Sequence, residues 1–125
     1  MEELNRISGQ IIDAAIKVHS KLGPGLLEST YQACLIFELQ RRNIRPRPQV
    51  ELPIRYDNVL IEVGYRLDLL VEEEVIVELK SVEAIDPIHE AQLLSYLKLS
   101  GKRLGLLINF NVLHLKDGIR RFING

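Results

Sequence analysis

Two acids and a lysine near the middle of the chain have the types and spacing of a metal-binding site. Residues 59–71 and 75–82 are rich in β-branched residues, and the acidic triplet at 72–74 predicts a hairpin turn between them. A three-residue turn sets Asp68 directly opposite Glu78, with Cβ atoms about 5 Å apart. Two carboxylates this close repel each other unless a cation lies between them, and carboxylate oxygens are the ligands that Mg²⁺ prefers. Lys80 shares the face of Glu78, and a metal held beside a lysine is a common way to attack a phosphodiester.

This interpretation depends on the length of the turn. A two-residue turn would pair Asp68 with Val77 or Leu79 and point its carboxylate away from Glu78. The alternative is that the two acids and Lys80 are the solvated face of an ordinary antiparallel strand pair, since an acid followed by Glu-x-Lys recurs often by chance.

Length and composition indicate the class of protein to which these residues belong. The chain has 125 residues, 46% of them hydrophobic and 26% charged, which predicts one domain over residues 1–125. No apolar run approaches the roughly 20 residues of a membrane span, so we expect no membrane contact. Cys34 is the only cysteine, which favours a reducing, cytoplasmic location.

Charge argues modestly against a nucleic-acid partner, because the formal net charge is −1. Local clusters matter more than the total, and two basic groups could contact phosphates: Arg41, Arg42, Arg45 and Arg47, and then Lys116, Arg120 and Arg121. The alternative for each group is a solvated helix end or a polar strand edge.

Hydrophobic spacing predicts the elements around the hairpin. A first helix of about 18 residues has the stripe Leu4, Ile7, Ile11, Ala15, Val18 and Leu22, and a second runs from about Leu26 to Arg42 with the stripe Leu27, Tyr31, Leu35 and Leu39. After a turn-rich connector, Asn43 to Pro48, we expect a strand at Gln49–Tyr56. A third helix begins at Asp86-Pro87 and ends near Gly101. Leu104–Phe110 predicts a buried strand reached by a helical crossover, and Gly118–Ile123 a short final strand.

Four polar residues on the helices are further candidates. Glu28 falls in the first turn of the second helix, where the helix dipole favours an ionised carboxylate, and Tyr31 lies on a neighbouring part of that surface. Gln92 and Tyr96 share one face of the third helix, with Leu93, Leu94 and Leu97 expected on the core side. The alternatives are a capping acid, a core aromatic and an amphipathic boundary pair.

These motifs, in this order, resemble the GxxExxY protein family of the restriction-endonuclease-like PD-(D/E)XK nuclease superfamily. The naming motif is Gly25–Tyr31 (GLLESTY), the core signature is Asp68 with Glu78-Leu79-Lys80, and Gln92–Tyr96 (QLLSY) is similar to the glutamine-tyrosine helix motif of RecB-like and Cas4-like nucleases. The resemblance covers nearly the whole chain. The proline that precedes the aspartate in the superfamily name is replaced here by Leu67.

The resemblance implies an α/β fold: a restriction-endonuclease-like core with a central mixed sheet of four to five strands flanked by three helices. It implies that Glu28, Asp68, Glu78 and the Leu79 carbonyl hold Mg²⁺ or Mn²⁺. Lys80 would stabilise charge on the phosphate and orient the attacking water.

The resemblance also implies a substrate. Tyr31, Gln92 and Tyr96 would position the scissile phosphate or a nearby base. The expected activity is hydrolysis of phosphodiester bonds in DNA, ahead of RNA, and a homodimer could build the binding groove. The alternative functions are a non-catalytic nucleic-acid-binding or protein-interaction module on the same fold, or a metal site that only stabilises it.

Overall fold

The computed structural model describes all of residues 1–125. Its helices are α1 (Glu2–Leu22), α2 (Glu28–Arg41) and α3 (Pro87–Ser100), and its strands are β1 (Pro46–Tyr56), β2 (Val59–Val71), β3 (Val75–Lys80), β4 (Leu104–Asn109) and β5 (Ile119–Ile123). The strands form one sheet in the order β1-β2-β3-β4-β5. Only β3 and β4 are parallel, and α3 makes the crossover between them. The predicted α/β fold, a mixed sheet with three helices, is confirmed.

The sheet has helices on both faces because its central strands are apolar on both sides. One face packs against α1 and α2 in a cluster of 19 buried residues that includes Ile11, Leu35, Val77 and Phe110. The other face packs against α3 in a cluster of 8 buried residues. Burying both faces of β3 and β4 explains why these strands read as nearly continuous hydrophobic runs.

Several expected boundaries and faces differ from the structure. Strand β1 begins at Pro46, inside the predicted connector, and β3 ends at Lys80, two residues early. Leu22, Leu27 and Leu94 are exposed, although the stripes placed them in the core. Leu22 is the last residue of α1 and Leu27 precedes α2, so each lies where its stripe runs out, and Leu94 lies on the rim of the buried face of α3.

Charged contacts hold the turn between β2 and β3. Glu72 and Glu73 both have positive φ, 54° and 57°, a conformation that costs a non-glycine residue about 1 kcal/mol. Each is tied to the neighbouring strand region: the Glu72 carboxylate accepts the Arg45 N–H at 2.7 Å, and Glu73 pairs with Arg47 at 2.8 Å. The turn therefore keeps three residues, and Val71 faces Val75.

One of the two edges of the sheet is β1, which carries three prolines, and the other is β5. Pro46, Pro48 and Pro53 have no N–H to donate, so β1 presents an incomplete row of hydrogen-bond donors along that edge. Beyond the helices, β1 and β2 continue as a long hairpin whose apolar side chains are open to solvent. The most exposed of these are Tyr56, Val59, Leu60, Val63 and Tyr65.

Candidate active site

Asp68 and Glu78 meet where the ladder between β2 and β3 ends. The last backbone pair is Leu69 with Val77, and continuing this register by one residue sets Asp68 opposite Glu78, as the three-residue turn predicts. The Asp68 N–H donates to Glu78 Oε2 at 2.8 Å, and the Leu79 N–H donates to Asp68 Oδ2 at 2.8 Å. These two bonds join β2 and β3 through the carboxylates just beyond the last backbone pair.

Burial and mutual repulsion disfavour charge on both acids. Glu78 is only 5% exposed. Burial, followed by the nearby Asp68 carboxylate, raises the pKa of Glu78 to about 8. Burial also raises the pKa of Asp68, against the opposing effects of the Leu79 N–H and the Lys80 charge. At neutral pH the pair therefore retains a proton, which a cation in its place would displace.

Lys80 supplies the positive charge next to this pair. It is half-buried at the end of β3, two residues from Glu78, so both side chains leave the same face of the strand. Its charge lowers the pKa of both Asp68 and Glu78. None of the ion pairs in the structure uses Lys80, which leaves its ammonium group free to meet an anion.

Glu28 approaches the pair from the first residue of α2. Its side chain is exposed, and its Oε2 accepts the Ser81 N–H at 3.4 Å, just beyond the end of β3. The Ser81 hydroxyl in turn donates to the Leu26 carbonyl at 2.6 Å. The charge of Glu28 contributes to raising the pKa of both Asp68 and Glu78, so the three acids share one electrostatic neighbourhood.

Tyr31 has a different position from the one expected of a substrate contact. It has no exposed surface, and its ring stacks on Phe110 with centroids 4.3 Å apart. Its hydroxyl donates to the Gly23 carbonyl at 2.6 Å and accepts the Leu26 N–H at 3.1 Å. A side chain buried in this way cannot contact a substrate directly. Tyr31 instead holds the loop that leads into Glu28.

Gln92 and Tyr96 lie on the α3 side of the site. Gln92 is exposed, whereas Tyr96 is 6% exposed, and both line one groove between α3 and the β1–β2 hairpin. Burial and then the charge of Glu78 raise the pKa of Tyr96, with smaller effects from Tyr65 and Asp68. The structure thus brings Tyr96 within electrostatic reach of the carboxylate pair.

A comparison with known families identifies the superfamily of this chain. Residues 5–122 match a family model described as the PD-(D/E)XK nuclease superfamily. The chain belongs to that superfamily. The match does not extend to the GxxExxY family, which stays a prediction. No curated protein and no solved structure matches the chain.

Nucleases of the PD-(D/E)XK superfamily typically use divalent metal ions, and the donors here fit such an ion in chemistry. Asp68 and Glu78 offer hard oxygen atoms, and each carboxylate keeps lone pairs beyond the one that accepts an amide. No group of three or more His, Cys, Asp or Glu side chains lies close enough to hold one ion together. Glu28 would therefore have to leave Ser81 to join the pair.

The basic groups of this PD-(D/E)XK chain are largely neutralised within the protein. Each arginine of the first group pairs with a carboxylate: Arg41 with Glu38, Arg42 with Asp13, Arg45 with Glu72 and Arg47 with Glu73. In the second group, Arg120 pairs with Glu90 and Arg121 donates to Asn5. Apart from Arg41, whose partner lies on the same helix, these arginines link neighbouring elements, which favours the structural interpretation over phosphate contact. Separately, none of the helices combines the length and apolar character needed to cross a membrane.

Two site residues escaped sequence reasoning. Gln49 has a φ of 52°, and its side-chain amide donates to Gln32 Oε1 at 3.3 Å. The nearby Gln49 amide also lowers the pKa of Asp68, which favours the ionised carboxylate. Buried Asn109 closes the loop after β3: its Oδ1 accepts the Val82 N–H at 3.1 Å, and its Nδ2 donates to the Val82 carbonyl at 3.0 Å. A buried amide ending the apolar run of β4 was a usable signal for Asn109. No signal in the neighbouring sequence indicated the left-handed backbone conformation at Gln49.

Proposed function

We propose that this protein is a metal-dependent nuclease that hydrolyses phosphodiester bonds in DNA, ahead of RNA, in a cytoplasmic location. The observation that carries the proposal is the buried Asp68–Glu78 pair beside an unpaired Lys80. Placing two carboxylates face to face in a poorly solvated site is costly unless a cation compensates them. A protein with only structural needs gains nothing from this arrangement.

In this proposal, Asp68, Glu78, the Leu79 carbonyl and Glu28 hold Mg²⁺ or Mn²⁺. When bound, such an ion lowers the pKa of a water molecule and offsets charge on a phosphoryl group. Binding is linked to loss of the proton that the Asp68–Glu78 pair retains at neutral pH, so the site is expected to take up metal better as the pH rises.

Three of the remaining side chains act directly on the substrate, and the fourth acts through its neighbours. Lys80 places its ammonium beside the phosphate and stabilises the negative charge that grows as water attacks. Gln92 and Tyr96 position the scissile phosphate or a neighbouring base from α3. Tyr31 contributes indirectly, because its hydroxyl holds the loop that presents Glu28.

Cleavage of end-labelled substrates tests the proposal. Single- and double-stranded DNA and RNA are incubated with Mg²⁺, Mn²⁺ or EDTA. We expect metal-dependent products that EDTA abolishes and that Lys80→Ala reduces by about 100-fold or more, since the lysine acts on the transition state. Lys21→Ala is the matched control, because Lys21 is exposed in the last turn of α1. Equal cleavage by both variants, or none by folded wild type, would refute the proposal.

A non-catalytic nucleic-acid-binding or protein-interaction module is the second candidate. Two observations favour it: no three acids form a ready metal cluster, and the arginine groups are engaged within the protein. Metal uptake separates the candidates. A nuclease binds Mn²⁺ and loses that binding in Asp68→Asn, whereas a module without a metal site is indifferent to the change. A metal that only stabilises the fold would give a lower melting temperature in Asp68→Asn without any cleavage to lose.

A further inference from the structure

A groove that includes Gln92 and Tyr96 extends beyond the residues assigned to the hydrolysis. It lies between α3 and the β1–β2 hairpin and encloses about 500 Å³. Its walls are mostly apolar, with Ile54 and Tyr65 on the hairpin and Ile88, Tyr96 and Leu99 on the helix. This size and composition are typical of a site for a small organic group rather than for an ion.

Two tyrosines form the aromatic part of the groove. The ring centroids of Tyr65 and Tyr96 are 5.9 Å apart, and the ring planes are inclined by 54°. Tyr96 is packed into the protein, whereas Tyr65 keeps 43% of its surface exposed. The Tyr65 ring therefore presents a free aromatic surface, supported from behind by a buried neighbour, on which a flat group could stack.

The polar residues that line the groove indicate which kind of molecule it can bind. Gln92 and Ser95 line the same groove and offer hydrogen-bonding groups beside the apolar walls, and Lys98 adds a positive charge. Tyr96 lines the groove and is close enough to Glu78 and Asp68 for their charges to raise its pKa, although neither acid lines the groove itself. A fitting occupant has a flat apolar face, a polar edge and an anionic group attached to it. A nucleotide has all three.

We propose that this groove holds an unpaired nucleobase, so that the protein selects single-stranded nucleic acid. The inference rests on the proposed function and names its substrate class. A base within a duplex has both faces covered by its neighbours, and only an unstacked base can lie against Tyr65. Stacking on tyrosine accepts every base, so selection is for strandedness rather than for sequence.

Binding without cleavage tests this inference. A fluorescently labelled single-stranded oligonucleotide is titrated with the whole protein in EDTA, once as DNA and once as RNA. Tyr65→Leu keeps an apolar side chain but removes the ring, and we expect about tenfold weaker binding. Tyr65→Phe keeps the ring and is expected to bind like the wild type. Tyr56→Leu is the matched control, because Tyr56 is exposed on the same hairpin but does not line the groove.

Two further substrates identify the group that is bound. An abasic oligonucleotide of equal length should bind Tyr65→Leu and wild type alike, and so should a blunt duplex. Equal affinity of Tyr65→Leu and wild type for the ordinary single strand would overturn the inference, as would an equal loss on the abasic strand. Self-association of the wild type that Tyr65→Leu abolishes would assign the groove to a second copy of the chain and also overturn it.

The outcome is independent of the nuclease assay. Binding of single strands that depends on Tyr65, without cleavage in any metal, would support the groove and reject the nuclease. Metal-dependent cleavage with unchanged strand preference in Tyr65→Leu would support the nuclease and reject the groove.

Discussion

Replacing Glu78 by glutamine should make the metal-free protein more stable in mild alkali. Glutamine keeps the oxygen that accepts the Asp68 N–H at 2.8 Å, so the end of the β2–β3 ladder stays closed. It removes the one carboxyl whose charge is most strongly disfavoured by burial and by Asp68. In the wild type the cost of keeping this acid buried grows as the pH rises above the ordinary pKa of a glutamate, so the effect must depend on pH.

The direction and size of the change in unfolding free energy follow from the pKa of Glu78, which rises from an ordinary value of 4.5 to about 8 on folding. Below the ordinary value both states are protonated, and stability is at its full value. As the pH rises, the unfolded chain releases its proton first, so the free energy of unfolding falls until the folded acid also ionises. Between about pH 5 and pH 8 this loss amounts to about 3.5 kcal/mol in the wild type.

Urea unfolding at both pH values in EDTA, followed by circular dichroism, measures the difference. Glu78→Gln should lack this loss, so its advantage over wild type grows with pH. Glu74→Gln makes the same chemical change at an exposed position in the hairpin turn and should follow the wild type. Parallel pH profiles for wild type and Glu78→Gln would refute the reasoning, since Glu78 would then not be an uncompensated buried acid.

Three substitutions probe the supports of the site, and urea unfolding measures each. Tyr31→Phe keeps the stacked ring but deletes both hydrogen bonds of the hydroxyl, which should cost about 1–2 kcal/mol of unfolding free energy. It should also lower cleavage, because the loop before α2 is held less firmly. Asn109→Ala leaves both backbone groups of Val82 without their partner and should cost about 2–3 kcal/mol of unfolding free energy. The Val82 amide hydrogen should also exchange faster, and unchanged exchange would contradict the role of Asn109 in closing the loop after β3. Gly118→Ala should cost about 3 kcal/mol, because the new Cβ would lie 2.2 Å from the Asn109 carbonyl oxygen. The control Gly9→Ala meets nothing within 4 Å and should cause no loss.

Much of the fold could be predicted because its signals are local. The Asp86-Pro87 start and the Gly101 stop of α3 depend on backbone conformations that only a few residue types favour, and the structure has both. The start of β1 was missed, since Pro46 and Pro48 read as breakers. Proline is tolerated there only because β1 is an edge strand, and position in the sheet is not a local property.

Some features of the candidate site could likewise be predicted from a single segment of the sequence, and others could not. The pairing of Asp68 with Glu78 follows from counting residues in one turn, and that count could be made from the sequence. Tyr31 was harder, because spacing places it on the stripe with Leu35 and Leu39 but does not show where its hydroxyl points. Gln49 comes near Asp68 from β1, and Tyr65 comes near Tyr96 from β2, only through the pairing and packing of separate elements, which no single segment encodes.

The prolines of β1 also limit how anything can attach to the hairpin. An extended peptide usually joins a sheet by bonding its backbone to an open edge, and three missing donors along eight residues interrupt such a bond pattern. The faces of the hairpin carry no such obstacle, and Tyr65 and Ile54 lie on them. The prolines therefore discourage strand addition and fibril growth along β1, and a partner on that side of the hairpin is expected to lie face-on with its side groups or rings against the sheet, as a nucleic-acid strand can.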